Sequence, residues 1–178
     1  MKELPNPTFS LSPLVLPKGL AKRIQTGHHG TAPLPAPKLE HNELTVSWAK
    51  HHDEVRLAQR LRYKVFAEEM GARLDSKIPG HDVDLFDNYC EHLLVRDAHT
   101  HQVVGTYRVL TPAQAKRVGS TYSDLEFDLT RLRHLRERMV ELGRSCVHKD
   151  YRQGGVIMTL WAALAAFMAR NQLDTMVG

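Results

Sequence analysis

Residues 139–171, MVELGRSCVHKDYRQGGVIMTLWAALAAFMARN, run a strand pattern, a basic turn closed by two glycines and a strongly apolar helix end to end. A helix this apolar requires a covering layer, and a strand that feeds directly into it supplies one, so the chain has to build a sheet with helices on its faces. The remaining pattern agrees. LTVSW from Leu44 alternates apolar and polar residues as a half-buried strand does. In DEVRLAQRLRYKVFAEEMG, the spacing of Val55, Leu57, Ala58, Leu61, Val65, Phe66 and Met70 predicts a helix, with Asp53 as N-cap and Gly71 ending it. ARLDSKIPGHDVDLFDNY is rich in turn formers and reads as a long functional loop. EHLLVRDA and QVVGTYRVL, joined by the polar HTH, predict an antiparallel hairpin, DLEFDLTRLRHLRER a short helix, and LDTMVG the opening of a last strand. The order is strand, helix, two hairpin strands, helix, strand, helix, strand, which is an α+β or α/β fold.

Residues 1–41 stand apart. They hold seven of the nine prolines, and proline removes backbone donors, so an extended, poorly ordered tail is expected there, with the domain over residues 42–178. A length of 178 residues suits one domain. The net charge of +4 and pI near 9.2 favour anionic partners such as phosphates, acidic carrier proteins or anionic lipid, and give no case for nucleic acid. Cys90 and Cys146 have no second thiol at metal spacing, so neither a disulfide framework nor a metal site is expected, and a reduced cytoplasmic setting fits. The N-terminus lacks the pattern of a secretion signal and no apolar run has membrane-spanning length, which leaves only peripheral contact with the inner face of a membrane. The histidine clusters at 51–52 and 99–101 read as solvated turn residues, Cys146 as a packed strand residue, and Trp161, Leu164, Phe167 and Met168 as core.

Two places carry chemistry. After the strand, HKDYRQGG sets Arg152, Gln153, Gly154 and Gly155 ahead of a helix, where exposed N–H groups and the helix dipole favour a phosphate; an ordinary tight turn is the alternative. Glu141 interrupts an apolar strand, where a carboxylate must be paired, with Arg144 or Arg108, or else used in catalysis.

RYKVFAEEMG, HDVDLFD, HLLVRDAHTHQVVGTYRVL, SDLEFDL and ELGRSCVHKDYRQGGVIMTLW occur in an order that resembles the Gcn5-related N-acyltransferase (GNAT) superfamily. More narrowly they resemble the ornithine N-acyltransferases of ornithine-lipid synthesis and, more distantly, the acyl-homoserine-lactone synthases. The likeness covers residues 44–178. It implies a mixed, mainly antiparallel central sheet flanked by helices, with a last strand that splays from the fourth so that the pantetheine of an acyl donor enters between them. The chain stops at that strand, so the C-terminal part of such a fold is expected to be missing. By position, Arg62 and Phe66 match the first-helix motif as substrate-binding residues, Asp84 and Asp87 the acidic loop, Arg108 the end of the hairpin, and Glu141 and Arg144 the fourth strand.

The implied activity is transfer of a 3-hydroxy fatty acyl group from acyl carrier protein to the α-amine of ornithine, with no tightly bound cofactor. Glu141 takes the amine proton, an arginine holds the acceptor carboxylate, and Asp84 or Asp87 meets the ornithine side-chain ammonium. Ile157 stands where the superfamily's phosphate loop has a small residue, which suits one phosphopantetheine phosphate better than coenzyme A. Strict alternation puts Glu141 and Arg144 on opposite strand faces, a departure from the resemblance that a bulge near Gly143 would resolve. An acyl-homoserine-lactone synthase is the enzymatic alternative, although its tryptophan is absent between Met70 and Asp82. The other alternative is a truncated remnant that binds carrier protein or membrane without turnover.

Overall fold

The computed structural model describes residues 43–178; the proline-rich segment expected to form a tail lies outside the described residues. The elements are β1 (Leu44–Trp48), α1 (His52–Tyr63), β2 (Glu91–Asp97), β3 (Val103–Leu110), α2 (Pro112–Val118), α3 (Ser123–Glu126), β4 (Met139–Val147), α4 (Gly155–Arg170) and β5 (Thr175–Val177). The strands form one sheet in sequence order. β1 to β4 pair antiparallel and β5 pairs parallel to β4, with α4 as the crossover. This is the mixed, mainly antiparallel sheet that the resemblance implies.

Alternation along the strands sends side chains to two faces. Leu93 and Val95 of β2 join Val104, Val109, Val140, Val156, Leu160 and Leu164 in a core beneath α4, whereas Leu94 joins Val55, Ala58, Leu61, Val65 and Cys146 beneath α1. Each fully buried leucine or valine contributes about 1.5–3 kcal/mol relative to exposure. α4 approaches β3 closely because Gly105 lies below it: a Cβ there would stand 2.3 Å from Val156 Cγ1.

Several expectations need correction. The N-cap of α1 is His51, not Asp53, which lies in the first turn where its charge suits the helix dipole. The helix continues through a π-helical turn, Lys64–Glu69, before Gly71. The single helix expected over 124–138 is two pieces, α3 and a 3-10 turn at Thr130–Leu135. Between them the Asp128 side chain accepts from the Thr130 backbone N–H at 2.9 Å, a local bond that competes with helix. α2 has no buried residue and so no apolar period for the sequence to show, although Thr111-Pro112 and the Thr111–Gln114 capping box mark its start. On α4, Leu164 and Phe167 are buried, but Trp161 is 44% exposed and meets Tyr107 edge-on at 6.3 Å. No helix among the described residues is long and apolar enough to cross a membrane.

Candidate active site

β4 is bulged next to Gly143, where a bulge would bring Glu141 and Arg144 to one side. Arg108 pairs with Gly143 but Thr106 with Cys146, so Tyr107 stands opposite both Arg144 and Ser145. Arg144 takes φ +52°, a left-handed conformation that costs a side-chain-bearing residue roughly 1–2 kcal/mol. The extra residue turns the Arg144 side chain toward the same opening as Glu141.

That opening is a cavity of about 230 Å³ lined by Arg108, Tyr122, Ser123, Glu126, Glu141 and Arg144, with Leu110, Phe127, Leu142 and Cys90 among the remaining walls. Glu141 is 6% exposed. Its two carboxylate oxygens accept from the Tyr122 N–H at 2.7 Å and the Ser123 N–H at 2.6 Å. The ion pair with Arg108 or Arg144 that the sequence left open is therefore absent. Glu141 instead ties the start of α3 to the sheet and keeps unused lone pairs beside the cavity. Burial pushes the Cys90 thiol up to about 12, so it remains protonated at neutral pH.

Behind the cavity lies a network of three arginines and three aspartates. Arg62 bonds the Asp82 carbonyl oxygen and pairs with the carboxylates of Asp82 at 3.0 Å and Asp87 at 2.7 Å. Arg108 meets Asp84 at 2.6 Å and Asp87 at 3.1 Å, and Arg144 meets Asp82 at 3.1 Å and Asp84 at 3.4 Å. Burying each ion costs several kcal/mol, which the alternation of signs offsets. Burial alone would raise the Asp87 carboxyl, but Arg62 and then His92 and Arg108 outweigh it and hold the group down near 2. Arg108 is held above its usual range because the aspartates outweigh its own desolvation.

Asp84 and Asp87, expected to meet the acceptor's ammonium, are thus committed to arginines. Arg62 is fully buried and Phe66 packs on the core beneath α1, so neither lines the cavity. Tyr122, Ser123 and Glu126 do line it and were missed as site residues, because two of them hold Glu141 through backbone N–H groups that no side-chain motif reports.

Three residue steps of strand, about 10 Å, lead from Arg144 to Val147, where the second candidate region begins. Arg152 Nε donates to the Val147 carbonyl at 3.1 Å and its guanidinium also pairs with Glu69. Gln153 is exposed. Gly154, the N-cap of α4, has φ +100°, a conformation open to glycine and strained for other residues, and no side chain caps the helix. Gly155 opens α4, leaving its first-turn N–H groups for solvent or an anion. β5 pairs with β4 over Met139–Glu141.

Residues 61–162 match the family described as acetyltransferase (GNAT) domain. The L-ornithine N(alpha)-acyltransferase of Brucella abortus (strain 2308) is 40% identical over 144 residues, which are 76% of this chain and 51% of that protein. The L-ornithine N(alpha)-acyltransferase of Rhodobacter capsulatus is 39% identical over 139 residues, 73% of this chain and 53% of that one. The chain spans about half the length of the curated relatives it matches. Among solved structures, the AHL synthase LasI superposes with a TM-score of 0.54 at 20% identity, over 76% of this chain and 71% of that one. A GNAT-family acetyltransferase from Staphylococcus aureus Mu50 superposes with a TM-score of 0.52 at 12% identity, over 75% and 72%. At such identities the structural likeness bears on the fold alone.

Proposed function

The chain belongs to the GNAT acetyltransferase family, and on that premise we propose that it moves a 3-hydroxy fatty acyl group from acyl carrier protein to the α-amine of ornithine, the first step in making an ornithine lipid. The observation that carries the reading is the cavity at the β4 bulge, where Glu141 and Arg144 open together. The sequence likeness to ornithine acyltransferases supports the choice of acceptor.

In this reading the phosphopantetheine phosphate sits on the first-turn N–H groups of α4, with Gly154 and Gly155 allowing its approach and Gln153 at its side. Arg152 turns to it from Glu69. The pantetheine arm runs along β4 and delivers the thioester carbonyl to the bulge, where backbone N–H groups stabilise the oxyanion. Arg144, the more exposed of the two cavity arginines, takes the acceptor carboxylate. The α-amine nitrogen attacks the carbonyl carbon, a C–N bond forms and the C–S bond breaks. One amine proton passes to Glu141, directly or through water, and the departing thiolate takes up a proton. Asp82, Asp84 and Asp87 hold Arg62, Arg108 and Arg144 in place rather than touching substrate. Donor and acceptor are cytoplasmic in this scheme, and the product leaves to the inner face of the membrane.

The test supplies labelled 3-hydroxyacyl carrier protein together with ornithine or S-adenosylmethionine. A labelled amide of ornithine supports the proposal. A lactone product from S-adenosylmethionine, or carrier binding without turnover of either acceptor, overturns it.

A further inference from the structure

Ornithine differs from a neutral amino acid by a second, distal ammonium, and a site that selects it needs a carboxylate with nothing else to bind. The carboxylates around the cavity are almost all in use. Asp84 accepts from Arg108 and Arg144, Asp87 from Arg62, Arg108 and Gln59, and Asp82 from Arg62 and Arg144. Both oxygens of Glu141 hold backbone N–H groups, and the lone pairs they leave over are assigned above to the α-amine. Drawing one of the aspartates toward an ammonium would strand a buried arginine, a costly exchange.

Glu126 is the exception. It lines the same cavity, is exposed, and makes neither an ion pair nor a side-chain hydrogen bond among the described residues. The backbone just before it is nevertheless held. Glu141 grips the Tyr122 and Ser123 N–H groups, and Asp124 both bonds Thr121 and pairs with Arg136, so the short helix that carries Glu126 is pinned at its start and on its flank. The cavity therefore offers a guanidinium, Arg144, and a free carboxylate, Glu126, on a held backbone. A zwitterionic amino acid with a cationic side chain complements that pair of charges.

We propose that Glu126 is the specificity-determining residue that binds the distal ammonium of a diamino-acid acceptor. The inference rests on the acyl-transfer reading above and assigns it a residue that neither the sequence pattern nor the arginine–aspartate network supplies. An exposed carboxylate gains strength as bound substrate displaces water, and a charge-assisted contact of this kind is worth about tenfold in affinity.

Ornithine and norvaline share a carbon skeleton and differ in the distal ammonium, so they isolate the contact. With the full chain, calorimetric affinity and the KM for acylation from 3-hydroxyacyl carrier protein are measured for both, in the unaltered protein and in Glu126→Gln. The expected result is that Glu126→Gln weakens ornithine about tenfold in both readouts while norvaline moves less than about twofold, and that Glu126→Asp recovers part of the loss. An unchanged ornithine-to-norvaline ratio in Glu126→Gln, with ornithine still bound and acylated, overturns the assignment and leaves the acyl-transfer reading standing. Failure of the unaltered chain to bind or acylate either amino acid overturns that reading and the assignment together.

Discussion

Acidification should destabilise this protein at one buried histidine. His92 is 2% exposed on β2, opposite Arg108 in the register. Its Nε2 lies 3.0 Å from the Asp87 carbonyl, which can only accept, so Nε2 carries the proton of a neutral ring. Nδ1 is buried with no partner. Charging it would place a cation in a dry site facing Arg62 and Arg108; burial, assisted by those arginines and opposed by Asp87, pulls the group down to about 4. The unfolded chain takes up this proton near pH 6.5 and the folded chain only near 4. The folded state therefore binds fewer protons between those values, and stability present above about pH 6.5 is lost as pH falls toward 4. The full difference is about 3 kcal/mol, of which about 2 kcal/mol is gone by pH 4.5. Urea unfolding at steps from pH 7 to 4.5 measures it, as a fall in midpoint of about 1 M. His92→Gln keeps an N–H for the Asp87 carbonyl and removes the titration, so its midpoint should fall much less over the same range. Equal slopes in the two proteins, or a His92 ring that titrates near 6.5 by NMR, would refute the reasoning.

Asp87→Asn removes the carboxylate shared by Arg62 and Arg108 and should cost about 3–5 kcal/mol in thermal or urea unfolding, because buried cations lose their partner. Gly105→Ala drives a methyl against Val156 and should cost about 1–3 kcal/mol in the same assays, with α4 shifted from β3 in the variant's structure. Glu141→Gln presents an amide N–H₂ to one of the two backbone donors it now accepts from. It should lose about 1–3 kcal/mol and speed hydrogen exchange at Tyr122 and Ser123, and it should abolish turnover at neutral pH if the carboxylate is the proton acceptor.

The sequence alone specified the sheet and the principal helices, because period-two and helical spacing are local consequences of which residues must be buried. MVELGRSCV is β4 from end to end, and the bulge at Arg144 is the irregularity that would reconcile strict alternation with Glu141 and Arg144 sharing a site. Family motifs added the residues that cluster behind the cavity. Local pattern could not say which carboxylates were spoken for. Asp84, Asp87 and Glu141 look alike along the chain, yet two neutralise arginines contributed by β3, α1 and the bulge of β4, and the third grips backbone N–H groups nineteen and eighteen residues upstream. Glu126 was unremarked for the same reason. A charge acquires its role from what stands within about 4 Å of it, and those neighbours arrive only when distant segments fold together.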